Sequence, residues 1–189
     1  MSNGFKIALS GDLGSGKSTV TKLLIEKYGF CTFSTGSFQR EIAKRLNMSI
    51  LELNKYAETH PEIDRETDAQ LVKEGEKDGN IIFDSRMAWH FVKNAFKVYL
   101  VSDTQVSAER IFKDSISGMR GSVEKYTSVE EAKEYILNRR ASEVERYLEK
   151  YGVNIIDMSN YDCVIDATHM TIPEIADKIY EEMVNWYER

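Results

Sequence analysis

The residues with the clearest chemical potential lie at positions 11–18, which read GDLGSGKS. They fit the pattern G-x-x-x-x-G-K-S/T, directly after an apolar run and directly before a segment with helical spacing. Glycines allow a tight turn whose backbone N–H groups converge on phosphate oxygens, and the N-terminus of the following helix adds to the attraction. We call this segment the phosphate loop. A chance glycine turn is the alternative, and the complete motif disfavours it.

The expected nucleotide cradle consists of nine consecutive residues: Gly11, Asp12, Leu13, Gly14, Ser15, Gly16, Lys17, Ser18 and Thr19. Lys17 is expected to reach the β- and γ-phosphates of ATP, and the hydroxyl of Ser18 to ligate Mg²⁺. The motif alone does not choose between kinases, ATPases and GTPases. A GTPase would need a guanine-reading N-K-x-D, and the pair Asn54-Lys55 has no Asp in place.

Two arginines beyond the phosphate loop could bind a second anion, which a kinase for a phosphorylated acceptor requires. Arg40 follows the second apolar run, and Arg86 follows the third. Ligands of open parallel sheets bind outside the carboxyl ends of the strands, so both arginines are expected on the side of the phosphate loop. Asp84 ends the third run, where its carboxylate could hold Mg²⁺ or its water shell. An ordinary strand-end turn with a surface ion pair is the alternative for Asp84 and Arg86.

A long helix is predicted over 130–151, with Arg139, Glu143 and Arg146 on one face because their offsets are four and three. An intrahelical ladder of salt bridges would explain the same spacing. Arg140 points about 100° away from Arg139, so we expect only one of the two to face a site.

Five short apolar runs predict strands at 5–10, 30–33, 81–83, 97–101 and 163–165. Longer segments with helical spacing lie between them, which predicts an α/β fold with a five-stranded parallel sheet flanked by helices. Ser49 with Glu52, Ser128 with Glu131, and Thr171 with Glu174 have the spacing of a capping box. Residues 115–128 lack periodicity and are predicted to form a mobile loop.

The chain has 189 residues, which favours one domain. Its formal net charge of −6 argues against general binding to nucleic acid. The two cysteines are expected to be reduced, and the chain shows no signal peptide and no apolar run that would span a membrane. We expect a cytoplasmic monomer whose partner is a small-molecule nucleotide substrate.

The chain resembles the cytidylate kinases over nearly its whole length, in their short, archaeal-like form. The matching segments, besides the phosphate loop, are STGSFQR at 34–40, NKYAE at 54–58, PEIDR at 61–65, DSR at 84–86, AERI at 108–111 and R-x-x-x-E-x-x-R at 139–146. Together they are much more specific than any one of them. The resemblance implies an adenylate-kinase-like P-loop fold, with a helical acceptor lobe over about 35–78 and a lid over about 110–138.

The resemblance also implies roles for individual residues. Thr35, Arg40 and Arg86 would hold the phosphate of the acceptor, CMP or dCMP. Arg139, Glu143 and Arg146 would span the acceptor and the transferring phosphate. Arg110 would lie over ATP, and the segment 167–169 would run alongside the adenine base and contact it through its backbone. Lys17, Arg110, Arg139 and Arg146 would thus share the negative charge that develops during transfer.

Two departures from the family pattern leave alternatives open. Met87 stands where the longer bacterial form has an Asp that helps to read cytosine, so another nucleotide or a small phosphorylated metabolite could be the acceptor. The lid has only Lys113 and Arg120 as cations soon after Arg110, which raises slow turnover and a catalytically weak regulatory module as possibilities.

Overall fold

The computed structural model of the protein describes residues 4–116 and 126–189. Its strands are β1 (Lys6–Gly11), β2 (Cys31–Ser34), β3 (Ile81–Asp84), β4 (Phe96–Val101) and β5 (Cys163–Asp166). They form one sheet in the order β2-β3-β1-β4-β5, and every pairing is parallel. The predicted five-stranded parallel sheet flanked by helices is confirmed, and each predicted strand end lies within one residue of the observed one.

Eight α-helices connect and cover the strands in the described part of the chain. They are α1 (Lys17–Tyr28), α2 (Thr35–Arg45), α3 (Ile50–Ala57), α4 (Pro61–Gly75), α5 (Ala88–Phe91), α6 (Thr104–Ile116), α7 (Val129–Tyr151) and α8 (Ile172–Tyr187). A single 3₁₀ turn, Met158–Asn160, precedes β5. None of the helices within residues 4–116 and 126–189 combines the length and apolar character needed to cross a bilayer.

The central strand β1 is buried along its whole length, as expected for a strand with helices on both faces. On one face, Leu9 and Val98 pack with residues of α1 and α8. On the other face, Ala8 and Phe83 pack with Leu71 of α4. The buried charge at the start of β1 is compensated, because the ammonium of Lys6 donates to the carbonyl of Gly75 at 2.6 Å.

Helices α2, α3 and α4 carry a small core of their own, built from Ile42, Ala43, Leu53 and Ile63. These three helices therefore form a packed unit beside the sheet. The capping box predicted at Ser49 is complete and defines the start of α3.

The other predicted caps are also present, with one difference in detail. Thr171 and Glu174 form a complete box at the start of α8. At the start of α7, Ser128 accepts from the N–H of Glu131 at 3.1 Å, but the carboxylate of Glu131 accepts from Thr127 instead of from Ser128. The reciprocal half of that capping box is therefore wrong, because Thr127 offers both an N–H and a hydroxyl to the same carboxylate.

The predicted loop over 115–128 begins later than expected, because α6 continues to Ile116. Residues 117–125, which include much of the predicted lid and Arg120, lie outside the described residues. The flanking helices α6 and α7 pack together through Ala108, Ile111, Ala132 and Ile136. Consequently, the two ends of the proposed lid start from one packed helix pair.

The connections of the sheet leave a crevice at its carboxyl edge. From β1 the chain runs toward the edge strand β2, and from β4 it runs toward β5 at the opposite edge of the sheet. Ligands of open α/β sheets bind in such a crevice. The phosphate loop follows β1 directly and therefore lies at this position.

Candidate active site

The phosphate loop is held in a shape that only small residues allow. Gly14 and Gly16 have φ angles of 78° and 84°, in the left-handed region that favours glycine. A Cβ on Gly14 would lie 2.8 Å from the carbonyl oxygen of Ser107, and a Cβ on Gly11 would lie 2.8 Å from that of Leu100. The loop is thus pressed against β4 and α6, with its curvature fixed by its glycines.

The loop offers hydrogen-bond donors that suit a polyphosphate. Gly16 precedes α1 and supplies no side-chain cap, so the N–H groups of Lys17 and Ser18 remain for an anion. The N–H of Thr19 donates to the carbonyl of Gly16 at 2.9 Å. The hydroxyl of Ser15 is buried, and within the described residues it has no hydrogen-bond partner. Buried polar atoms without partners are rare, and a phosphate oxygen would satisfy this one. The residues of the phosphate loop therefore fit a nucleoside triphosphate.

A cavity of about 680 Å³ extends from the phosphate loop to α7. We call it the first cavity. Apart from Gly11 and Arg40, it is lined by every site residue predicted from the sequence: Asp12, Leu13, Gly14, Ser15, Gly16, Lys17, Ser18, Thr19, Thr35, Asp84, Arg86, Arg110, Arg139, Glu143 and Arg146. Segments distant in sequence, from β1, α2, β3, α6 and α7, are thereby brought together.

Lys17 and Asp84 form an ion pair inside the first cavity. Asp84 is the last residue of β3, which pairs with β1 so that Asp84 lies opposite Leu9. Both side chains are about one-fifth exposed, at 21% and 23%. An anionic ligand at the phosphate loop would compete with Asp84 for the ammonium, which would leave the carboxylate available to a cation.

Glu143 lies between two arginines from different elements. Its carboxylate forms an ion pair with Nε of Arg86 at 2.9 Å and accepts a hydrogen bond from Nε of Arg139 at 3.0 Å. Arg86 also donates to the carbonyl oxygen of Gly11. The contact between Arg139 and Glu143 is the predicted intrahelical pair, but the same carboxylate also crosses to the sheet. The acidic residue therefore orients two guanidinium groups at the first cavity.

The charge of Arg139 is secured by its neighbours. Burial opposes that charge, but the Glu143 carboxylate and the Tyr135 hydroxyl, at 2.9 Å from Nη1, outweigh it and hold the pKa of Arg139 above its usual range. Arg146 lies further along the same face, with its guanidinium 4.9 Å from the ring centre of Tyr147. Burial raises the pKa of the Tyr147 hydroxyl.

Arg110 joins the phosphate loop to the segment after β5. Its guanidinium donates to the carbonyl oxygens of Ala167 at 3.1 Å and Thr168 at 2.7 Å, and it reaches that of Gly14 at 3.4 Å. Ala167 lines the first cavity together with the apolar residues Met170 and Ile172. This end of the cavity has the apolar surface that a purine ring requires.

Comparisons with known proteins agree with this geometry. A sequence profile of the cytidylate kinase-like family matches residues 6–169. The chain belongs to the cytidylate kinase-like family. A cytidylate kinase from Pyrococcus horikoshii is 40% identical over 163 residues, which is 86% of this chain and 79% of that protein. One from Thermoplasma volcanium is 37% identical over 175 residues, covering 90% and 87% of the two chains.

Solved structures show the same fold at low sequence identity. An uncharacterized protein from Eubacterium ventriosum superposes with a TM-score of 0.68 at 17% identity, covering 95% of this chain and 98% of its own. A shikimate kinase from Bacteroides thetaiotaomicron superposes with a TM-score of 0.60 at 16% identity, covering 94% and 97% of the two chains. These likenesses place the cytidylate kinase-like chain among P-loop kinase folds.

Arg40 is the predicted site residue whose side chain does not line the first cavity. It is exposed, and its Nη2 donates to the hydroxyl of Ser37 at 2.9 Å. Helix α2 begins at Thr35, so Thr35 and Gln39 share the face toward the cavity, and Arg40 is rotated by about 100°. Its guanidinium still lies beside Gly36, which is part of the cavity wall.

A second cavity of about 420 Å³, which the sequence does not predict, lies between α3, α4 and α7 of this cytidylate kinase-like chain. Gln39 and Arg146 line both cavities, which makes the second a continuation of the first. The lining also includes Asn54 and Glu58, which occur in a segment that the family resemblance had singled out without giving either a role. Their spacing of four residues was the available signal.

The two helices that flank the second cavity are tied together at its far end. Lys150 of α7 pairs with Asp64 of α4. One turn further along α4, the carboxylate of Asp68 accepts from the hydroxyl of Tyr151 at 2.8 Å. Burial raises the pKa of Asp68, although the hydrogen bond from Tyr151 acts in the opposite direction. These contacts set the width of the second cavity.

Proposed function

We propose that this protein transfers the γ-phosphate of ATP to CMP or dCMP. The observation that carries the proposal is one cavity lined by Lys17 and the phosphate loop together with Arg86, Arg139 and Arg146. Membership of the cytidylate kinase-like family, and relatives named cytidylate kinase at 35–40% identity, support CMP as the acceptor.

Phosphoryl transfer requires little covalent work from a protein, and the residues present suit the work it does require. An oxygen of the acceptor phosphate attacks the γ-phosphorus, the bond from that phosphorus to the β–γ bridging oxygen breaks, and ADP and a nucleoside diphosphate leave. Lys17 and the N–H groups of the phosphate loop would hold the donor. Arg86, Arg139 and Arg146 would hold the acceptor in line and neutralise the charge of the transferring group.

Ser18 and Asp84 are the residues that would hold Mg²⁺. A hydroxyl and a carboxylate are hard oxygen ligands, and both line the first cavity beside Lys17. When bound, the ion would neutralise charge on the β- and γ-phosphates. Release of Asp84 from Lys17 would accompany the arrival of the triphosphate, since Lys17 would then contact phosphate instead.

The remaining acceptor residues are Thr35 and Arg40. Thr35 lines the first cavity, and Arg40 lies beside the cavity wall at Gly36. A rotation of the Arg40 side chain away from Ser37 would direct its guanidinium to the acceptor phosphate. We propose that residues 35–78 act as the acceptor lobe and residues 110–138 as the lid, which would exclude water during transfer.

The two alternatives are less well supported. The departure at Met87 leaves a different acceptor as the first alternative, but this side chain is buried, at 3% exposed, and does not line the first cavity. A regulatory module without catalysis would not need its cations around a shared cavity. The relatives named cytidylate kinase favour neither alternative.

A panel of nucleoside monophosphates tests the proposal in an assay that couples ADP formation to NADH oxidation. We expect CMP and dCMP to stimulate ADP formation more than UMP, AMP or GMP do. If none of these acceptors stimulates ADP formation, the proposal is contradicted.

A further inference from the structure

We propose that Asn54 and Glu58 read the base of the acceptor nucleotide and select cytosine over uracil. This inference rests on the proposed function and adds the residues that determine the choice of base. Both side chains line the second cavity, and neither has another role in the site described above.

The second cavity lies where the nucleoside of the acceptor must go. Arg146 and Gln39 stand at the junction of the two cavities. An acceptor whose phosphate is held by Arg86, Arg139 and Arg146 therefore directs its sugar and base past Gln39, away from the phosphate loop. The volume of about 420 Å³ is in the range of cavities that hold small molecules.

The wall of the second cavity includes apolar surface on which a planar ring can lie. Leu53 and Ile63 are buried core residues of the acceptor lobe, and Ala57 and Pro61 complete this surface. Such contacts favour any pyrimidine equally, because cytosine and uracil have nearly the same shape. Selection between them must therefore come from polar side chains.

The charged side chains of the second cavity are three carboxylates and two cations, one of which is Arg146. Glu58, Asp64 and Glu149 line it together with Lys150. Asp64 pairs with Lys150, so their charges offset each other. In the described part of the chain, neither the carboxylate of Glu58 nor the amide of Asn54 takes part in a hydrogen bond or ion pair within the protein. These two groups are therefore available to a ligand.

Asn54 and Glu58 present their groups side by side. They are four residues apart on α3 and its C-terminal cap, so they lie on the same face one turn apart. The complete capping box of Ser49 and Glu52 fixes the start of this short helix. The pair offers an amide that can donate or accept, next to a carboxylate that can only accept.

This combination matches the edge of cytosine and not that of uracil. Cytosine presents an amino group at C4, which donates to a carboxylate, beside acceptors at N3 and O2, to which an amide can donate. Uracil presents an oxygen at C4, so the carboxylate of Glu58 would face another acceptor. An unmatched pair of acceptors in a partly desolvated cavity disfavours binding strongly.

The test compares CMP with UMP as acceptors at saturating ATP. We expect the wild-type protein to prefer CMP. Glu58→Gln adds a donor beside C4 and should lower the ratio of kcat/KM for CMP to that for UMP by about tenfold, with the KM for ATP unchanged. Glu58→Lys should lower the ratio further. Asn54→Ala, a second and independent variant, should raise the KM for CMP.

Two other carboxylates serve as comparisons. Glu62→Gln removes an exposed carboxylate of α4 outside the second cavity and should leave the ratio unchanged. Glu149→Gln removes a carboxylate from the α7 side of the cavity. A change in the ratio with Glu149→Gln but not with Glu58→Gln would overturn the inference.

The outcomes separate this inference from the proposed function. If the wild-type protein phosphorylates CMP and Glu58→Gln keeps the wild-type ratio, the inference fails and the proposed function stands. If the wild-type protein uses CMP and UMP equally, the inference also fails. If it phosphorylates neither CMP nor dCMP, the inference and the proposed function fail together. Melting curves of each variant check that these exposed substitutions leave the fold intact.

Discussion

The carboxylate of Asp12 in the phosphate loop pairs with the guanidinium of Arg140 in α7, at 2.6 Å. The same carboxylate accepts from the hydroxyl of Tyr99 at 2.9 Å and from the N–H of Ser102 at 3.0 Å. Burial, followed by the nearby Asp12 charge, raises the pKa of Tyr99, so its hydroxyl remains a donor. Arg140 is adjacent to Arg139, which lines the first cavity. The contact thus links the phosphate loop to the helix that we propose to hold the acceptor.

Breaking this link should slow catalysis by displacing α7. We expect Arg140→Gln to lower kcat by about tenfold to a hundredfold, because small displacements of catalytic groups reduce rates to that degree. The double variant with Asp12→Asn should show a coupling free energy of about 0.5–3 kcal/mol in urea unfolding. Steady-state kinetics and urea denaturation measure the two effects.

The exposed residue Glu145 on the same helix provides the matched control. Glu145→Gln should leave kcat and stability close to those of the wild-type protein. A lower stability of Arg140→Gln together with an unchanged kcat would show that the pair only stabilises the fold.

Removal of the Lys17 ammonium should abolish most of the activity. We expect Lys17→Met to reduce kcat/KM for ATP by about a hundredfold to a thousandfold, the usual loss when one group that stabilises the transition state is removed. Circular dichroism should be unchanged, because Lys17 lies in a cavity and not in the core. Activity within a few-fold of the wild type would contradict the assigned role.

Arg40 should affect the acceptor and not the donor. We expect Arg40→Ala to raise the KM for CMP by about tenfold or more, since a charge-assisted hydrogen bond to phosphate is lost. The KM for ATP should remain nearly unchanged, because Arg40 does not line the first cavity with the phosphate loop. Initial rates with either substrate varied provide the measurement. Equal losses for both substrates would contradict this role.

The raised pKa of Asp68 predicts how stability depends on pH. Since folding raises this pKa above its value of about 4 in an unfolded chain, the folded state holds the proton more tightly. The stabilising contribution is complete below the unfolded pKa, and it is lost as the pH rises through the folded pKa. Asp68→Asn cannot ionise and keeps an acceptor for Tyr151, so it should gain stability relative to the wild type as the pH rises from 3 to 7.

Urea unfolding of the wild type and Asp68→Asn at several pH values between 3 and 7 measures this difference. Glu66→Gln is the control, because the pKa of Glu66 is lowered by its hydrogen bond with Arg45. Its deviation from the wild type should have the opposite sign with pH. A difference for Asp68→Asn that stays constant over this range would contradict the prediction.

The sequence predicted the phosphate loop and the five strands because both depend on local patterns. The loop needs its glycines and Lys17 at set positions within eight residues, and a buried strand needs a short apolar run. The spacing in α7 likewise required that Arg139 and Arg140 diverge, and the structure shows Arg139 at the first cavity and Arg140 at Asp12.

The features that the sequence did not predict depend on contacts between distant segments. Which residues of α2 face the first cavity depends on where α2 starts and how it packs, and this places Gln39 instead of Arg40 on the wall. The second cavity exists because α3 and α4 stand opposite Arg146 and Lys150 of α7. No local pattern reveals such an approach.

Transfer of a labelled phosphate tests the central claim most directly. The wild-type protein would be incubated with [γ-³²P]ATP, Mg²⁺ and CMP, and the products separated by thin-layer chromatography. The label is expected in CDP, at a rate that matches the formation of ADP, and Lys17→Met should produce almost none. If the label appears only as inorganic phosphate, or stays in ATP when CMP is present, the account is contradicted.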